Sequence, residues 1–185
     1  MIIIGLGHKA RQGKDSAGEA ILQHFRQNNL ACQRAYGRKH KPTKVELCKF
    51  ATALYQECRE QHGMLDKDPI LLQDVGLSRR HEDPEYWVKR AFAAIPAGTD
   101  IAIFTDVRFK NEANRIQQEG GHLINVVRMN EDGTRYIATD RPHAHSSETD
   151  LDSYNWDFQI VSKSPALTGE LAVTIAEFIR GLESK

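Results

Sequence analysis

The N-terminal stretch constrains this chain more than any other part of it. Ile2-Ile3-Ile4 carries no polar alternation, glycines stand at 5, 7 and 13, Lys14 follows, and Ala17, Ala20, Ile21, His24 and Phe25 recur at helical spacing. A continuous β-branched run is a strand buried on both faces, as in a parallel sheet, so the chain opens inside its own core. Residues 1 to 28 therefore read as strand, loop, helix. Within them Gly7-His8-Lys9-Ala10-Arg11-Gln12-Gly13-Lys14-Asp15-Ser16 lies close to the pattern G-x-x-x-x-G-K-[ST]. A loop of that kind turns successive backbone N–H groups and a helix start toward phosphate oxygens, while the lysine ammonium reaches the β- and γ-phosphates. His8, Lys9, Ala10, Arg11, Gly13, Lys14, Asp15 and Ser16 are thus read as the holder of a nucleoside triphosphate rather than an ordinary glycine turn. In two places the sequence departs from the pattern: His8 occupies the first glycine position, and Asp15 occupies the usual hydroxyl position with Ser16 next. Either Asp15 or Ser16 is left as the magnesium ligand.

The rest of the chain alternates strand and helix signals. Ala31 to Tyr36 suggests a short second strand. From Arg34 to Lys49 basic residues face the single acid Glu46, which makes this stretch a local anion trap or a solvated loop. Leu47, Phe50, Ala51, Leu54, Tyr55 and Cys58 form a helical stripe, Pro69 to Leu77 a short helix, and Asp83-Pro84 the N-cap and first-turn proline of a helix carrying Trp87, Val88, Ala91, Phe92 and Ile95. Ile101 to Phe104 is a second apolar strand ending in Thr105-Asp106. Asn111 to Glu119 is a helix closed by Gly120, and Leu123 to Val127 a third strand. Residues 129 to 150 lack apolar periodicity and read as a long exposed loop of functional length, a lid. Phe158 to Val161 is a last strand, and Ser164-Pro165 opens a helix whose Leu167, Leu171, Ile175, Phe178, Ile179 and Leu182 line one face. The alternation implies an α/β layer fold with a mainly parallel sheet and a ligand site at the carboxyl ends of its strands.

That placement selects the chemistry. Asp106, closing a buried strand beside the loop, is the candidate base or metal-shell residue, unless it only caps a turn. Phosphoryl transfer asks a protein mainly for charge neutralisation and in-line placement, and bidentate guanidinium groups suit phosphate oxygens. Arg108 and Arg128, at strand ends on the ligand side, join Lys14 and Asp106 as candidate catalytic residues. Arg135 and Arg141 are lid candidates. His143 and His145 lack the cysteine partners or helical spacing of a metal site and read as polar loop. Trp87 and Phe92 read as core.

Composition narrows the function classes. The 185 residues hold 25 Lys+Arg against 25 Asp+Glu, a formal net charge of 0, so nothing global draws the chain to nucleic acid or membrane. Cys32, Cys48 and Cys58 have no C-x-x-C spacing, which excludes a zinc ribbon and a disulfide framework and points to a reducing cytoplasm. No apolar run approaches the roughly 18 residues of a membrane span.

These motifs resemble the bacteriophage-type deoxynucleoside monophosphate kinases, within the wider P-loop nucleotide kinases, over nearly the whole chain. Its carriers are Gly7 to Ser16; Leu71-Leu72-Gln73-Asp74-Val75-Gly76 with Arg79-Arg80 and Trp87; Thr105-Asp106-Val107-Arg108-Phe109-Lys110-Asn111-Glu112-Ala113; Gly120-Gly121-His122-Leu123-Ile124 leading to Val126-Val127-Arg128; and His145-Ser146-Ser147-Glu148. The resemblance implies a single three-layer P-loop kinase domain over 1–185, with an acceptor-binding region at about 36–95 and a lid at about 129–150. It implies ATP and Mg2+ as cofactors, with Asp15, Ser16 and Asp106 toward the metal, and phosphoryl transfer from ATP to a (deoxy)nucleoside monophosphate held by Gln73, Arg79, Arg80 and Glu148. No stable nucleic-acid or membrane partner is expected, a homodimer stays open, and the compartment is the cytoplasm, that of the host if the chain is viral. The animal-type phosphomevalonate kinases share a similar loop, so another phosphorylated metabolite is an alternative acceptor. A modified pyrimidine in DNA, or nucleotide binding without transfer, are further alternatives.

Overall fold

A computed structural model describes residues 1–36, 41–139 and 146–183. Five strands form one sheet: β1 (Ile2–Gly7), β2 (Val45–Cys48), β3 (Ile101–Val107), β4 (His122–Arg128) and β5 (Phe158–Ser162). All pair in parallel, in the order β2-β3-β1-β4-β5. The opening strand is central, with Ile2 opposite Ile101 and Ile4 opposite His122, which accounts for its unbroken apolar run.

Side-chain parity along β1 divides the core. Ile4 and Leu6 face one layer with Ala17, Ile21 and Phe25 of α1 (Lys14–Tyr36) and Ala172, Ala176 and Ile179 of α7 (Pro165–Glu183). Ile3 faces the other, with Val88 and Ala91 of α4 (Tyr86–Ala93) and Ala113 and Ile116 of α5 (Lys110–Gln118). The result is a three-layer α/β arrangement. Against α4, the helices α2 (Ala51–His62) and α3 (Pro69–Glu82) build a separate cluster around Cys58, Leu72, Val75 and Trp87. Helix α6 (Ser146–Thr149) is one turn long. Among the described residues no helix is long and apolar enough to cross a membrane.

Several expectations need correction. Residues 31–36 are helical, because α1 runs on through Asn28-Asn29: the Asn29 side chain reaches out to Thr43, accepting from its N–H at 2.9 Å and donating to its carbonyl at 2.8 Å. The second strand is instead Val45–Cys48, so Leu47 belongs to the sheet and not to the stripe of α2. Asp83 closes α3 and accepts from Glu85 N–H, and α4 begins only at Tyr86. α3 is longer than expected and is capped by Asp68, which accepts from Ile70 and Leu71 N–H. Finally, α7 buries Thr168, Gly169, Ala172, Ala176 and Ile179, while Leu167, Phe178 and Leu182 are exposed. Small residues win this face because α7 lies close on α1: a Cβ on Gly169 would stand 2.9 Å from that of Ala20.

Candidate functional site

A cavity of about 780 Å³ opens where the strands end. It is lined by Ala10 to Ser16 after β1, Lys49 after β2, Thr105, Asp106, Arg108 and Phe109 around the end of β3, Arg128 of β4, Ser146 and Ser147, and Ser164 and Pro165 after β5, with Leu54, Tyr55, Leu72, Gln73, Leu77 and Arg80 on its far side. This is the ligand crevice expected of an open parallel sheet.

The glycine loop is held by its own chain. Gly13 has φ +97°, a conformation that suits glycine, and its carbonyl accepts from Ala17 N–H to start α1. Gln12, buried, donates to the carbonyl of Tyr136 at 2.9 Å and accepts from Arg128 N–H at 2.7 Å, stitching the loop to the end of β4 and the segment beyond it. The Lys14 ammonium folds back on the carbonyls of Lys9 and His8. Burial, then the nearby Arg108 guanidinium, bring Lys14 down to about 7. Asp15 Oδ1 accepts from Thr105 Oγ1 at 3.0 Å and pairs with Lys49 at 2.7 Å. Burial alone would push Asp15 up, but those two partners outweigh it and hold the carboxyl below its ordinary range.

Asp106 accepts from Phe50 N–H at 2.8 Å and Ala51 N–H at 3.0 Å, fixing the turn from β2 into α2, and burial raises its carboxyl. Glu112 accepts from Arg108 and Phe109 N–H at the start of α5; burial, then the Asp106 charge, push it up to about 8.

Of the residues singled out from sequence, Ala10, Arg11, Gly13, Lys14, Asp15, Ser16, Gln73, Arg80, Asp106, Arg108 and Arg128 line this one cavity. Six do not. His8 is buried against Trp156, and its Nε2 lies 3.0 Å from Asp152; burial holds the imidazole below its ordinary value, so it donates there as a neutral ring. Lys9 turns to Asp152 and to the carbonyl of Glu148. Arg79 is committed to Glu57 at 2.7 Å and to Glu82, with Tyr86 completing the Glu57 site. Glu148 lies behind the loop, accepting from Ala10 N–H and Arg108. Arg135 is exposed on the segment after β4, bridged to Met129 and away from the cavity wall, and Arg141 is outside the described residues.

The cavity also holds residues not singled out from sequence as site residues. Lys49, the last cation of the stretch read as an anion trap or solvated loop, follows β2, Lys67 lies in the link before α3, and Gln12 occupies an unspecified position of the loop motif. With them, among the described residues seven cations (Arg11, Lys14, Lys49, Lys67, Arg80, Arg108, Arg128) face two acids, Asp15 and Asp106, in a chain of zero net charge. Local potential of that sign concentrates anions. Among the described residues no three histidine, cysteine or acidic side chains converge on a point. The exposed Asp15 carboxylate and the Ser16 hydroxyl at the cavity wall fit magnesium, which takes one or two protein oxygens and completes its shell with phosphate and water.

No family model matches the chain, and no curated protein matches it.

Proposed function

We propose that the chain is an ATP-dependent kinase of (deoxy)nucleoside monophosphates, converting ATP and a (d)NMP to ADP and the corresponding (d)NDP. The observation that carries this reading is the distribution of cations in one cavity with two ends. Arg11, Lys14, Arg108 and Arg128 gather at the glycine loop, Lys67 and Arg80 lie with α3, and Lys49 is anchored to Asp15 of the loop helix. Two anions brought together, not one, need this arrangement. At the α3 end, Leu54, Tyr55, Leu72 and Leu77 offer apolar walls and Gln73 one amide, a lining suited to a flat base with a polar edge.

In this reading Gly7 to Lys14 is the phosphate loop, and Lys14 leaves its carbonyl partners for the β- and γ-phosphates. Arg108 and Arg128 neutralise the charge of the transferring group, and Arg80, stacked 4.4 Å over the Phe109 ring and donating to the Gly76 carbonyl, receives the acceptor phosphate. Magnesium on Asp15 or Ser16 would screen the β- and γ-oxygens. Lys49 then holds Asp15 in place, Asp106 keeps α2 and the acceptor wall in register with β3, and the exposed segment that follows β4 serves as the lid that excludes water.

The test is ADP release from ATP and Mg2+ across a panel of dNMPs, NMPs and phosphomevalonate, with folded Lys14→Ala as the blank. Turnover with one or more nucleotides, lost by several orders of magnitude in Lys14→Ala, is the expected result. Turnover with phosphomevalonate alone would select the other acceptor class, and near-normal turnover by the folded variant would remove the phosphate-loop assignment. ATP binding with silence across the panel would leave a binding module.

A further inference from the structure

Glu148 is a buried acid whose two oxygens serve two different elements. Oε2 accepts from Ala10 N–H in the glycine loop at 2.9 Å, and Oε1 accepts from Arg108 Nη1 at 2.5 Å; the two side chains are 8% and 23% exposed. Ala10 and Arg108 line the cavity, whereas Glu148 does not. Resting on the kinase reading above, we propose that Glu148 is a positioning residue: from behind the loop it aims Arg108 at the transferring phosphoryl group and ties that aim to the segment 146–152.

A guanidinium has five N–H donors in a rigid fork, so a carboxylate on one side fixes where the remaining donors point. Arg108 follows β3 on a long flexible stem, and its backbone N–H is fixed by Glu112. Glu148 supplies the second fixed point, at the guanidinium. The segment that carries Glu148 is itself pinned. Its Glu148 carbonyl accepts from Lys9 Nζ at 2.8 Å, Asp150 accepts from Lys110 N–H at 2.7 Å, and Asp152 pairs with Lys9 and His8. Three acids at alternate positions thus grip the loop and the start of α5, and any shift of this segment must turn Arg108. The opposing idea, that the carboxylate occupies a phosphate position and competes with ligand, predicts a cavity-lining Glu148.

Glu148→Gln keeps the size of the side chain but has one acceptor oxygen, and cannot satisfy both Ala10 N–H and Arg108. The experiment is a double-mutant cycle of Glu148→Gln and Arg108→Ala, read in kcat, in both KM values and in ATP affinity by calorimetry. We expect Glu148→Gln to lower kcat by about 10²-fold, the scale of losing one aligned donor. The acceptor KM should stay within about threefold, as for an interaction made in the transition state. The double variant should be no slower than Arg108→Ala. Multiplying losses would overturn the proposal, as would tighter ATP binding with kcat intact, the sign of a competing carboxylate. If the wild type turns over no acceptor, the kinase reading fails and the cycle is scored in ATP affinity alone: an effect of Glu148→Gln that vanishes in the Arg108→Ala background keeps the positioning role, and additive effects remove it. Should Glu148→Gln not fold, side-chain nitrogen NMR of the wild type decides: hindered rotation of the Arg108 guanidinium is expected, and free rotation would overturn the assignment.

Discussion

Gly18, one turn into α1, sets two effects of opposite sign against each other. Glycine within a helix costs about 1 kcal/mol relative to alanine, so Gly18→Ala gains up to that amount from the backbone. The added Cβ, however, would stand 2.6 Å from Thr105 Cγ2 and 3.3 Å from Leu47 Cδ2. Thr105 is 1% exposed in the central layer, so it cannot move aside as a surface side chain would. Overpacking of this kind costs about 1–3 kcal/mol. Turning Thr105 about χ1 to relieve it would swing Oγ1 off Asp15, a further loss of about 1 kcal/mol. Packing wins, and we expect Gly18→Ala to lower stability by about 1–2 kcal/mol, a fall in Tm of roughly 2–8 °C for a chain of this size. Thermal unfolding by circular dichroism measures it. Thr105→Ser removes Cγ2 and keeps the hydroxyl, so Gly18→Ala in that background should recover most of the loss. A Tm for Gly18→Ala at or above that of the wild type, or a double variant no better than the single, would refute the argument.

Neighbouring arginines of α3 should separate cleanly: Arg80→Ala raises the acceptor KM at nearly unchanged Tm, whereas Arg79→Ala strands the buried Glu57 carboxylate, lowers Tm and leaves KM close to wild type. Steady-state kinetics beside a melting curve checks both, and the reverse pattern would show Arg79 as the acceptor ligand. Glu112 carries a pH signature. Its folded value of about 8 lies above its ordinary 4.5, so the native state holds the proton more tightly, and the stability this contributes is fully present below about pH 4.5 and lost as pH rises through 8. The stability of the wild type relative to Glu112→Gln should therefore be greater at pH 6 than at pH 9 in denaturant titrations; an equal difference at both would place the ionisation elsewhere.

Where one face of one element met one uniform environment, the sequence was readable. β1 is apolar throughout because strands flank it on both sides and helices cover both faces, and the glycine loop falls between strand and helix as its pattern requires. β2 escaped notice because four residues, Val45–Cys48, at an edge carry too little pattern to separate from the apolar residues of α2. Residues 31–36 were read as a strand, yet α1 runs on to Tyr36, and Asn29 within it spends its amide on Thr43. On α7 the large residues misled because close approach to α1 selects small ones, and hydrophobicity does not register how near two backbones lie. For the site, motif spacing and strand ends found the loop residues and the strand-end charges of the cavity wall. It could not tell Arg79 from Arg80, since what separates them is Glu57, 22 positions before Arg79 and on another helix.

The sheet order also governs the sequence of events as the chain is made. β1 emerges first but lies at the centre, and its two neighbours are β3, beginning at Ile101, and β4, ending at Arg128. From Gly7 until Ile101 emerges, its apolar residues have no neighbouring strand to join, and an unpaired strand of that kind is a template for association with other chains. Non-local pairing of this sort also slows folding. A nascent chain stopped before β3 should thus be a substrate for holding factors at β1, and one extended past β4 should release them.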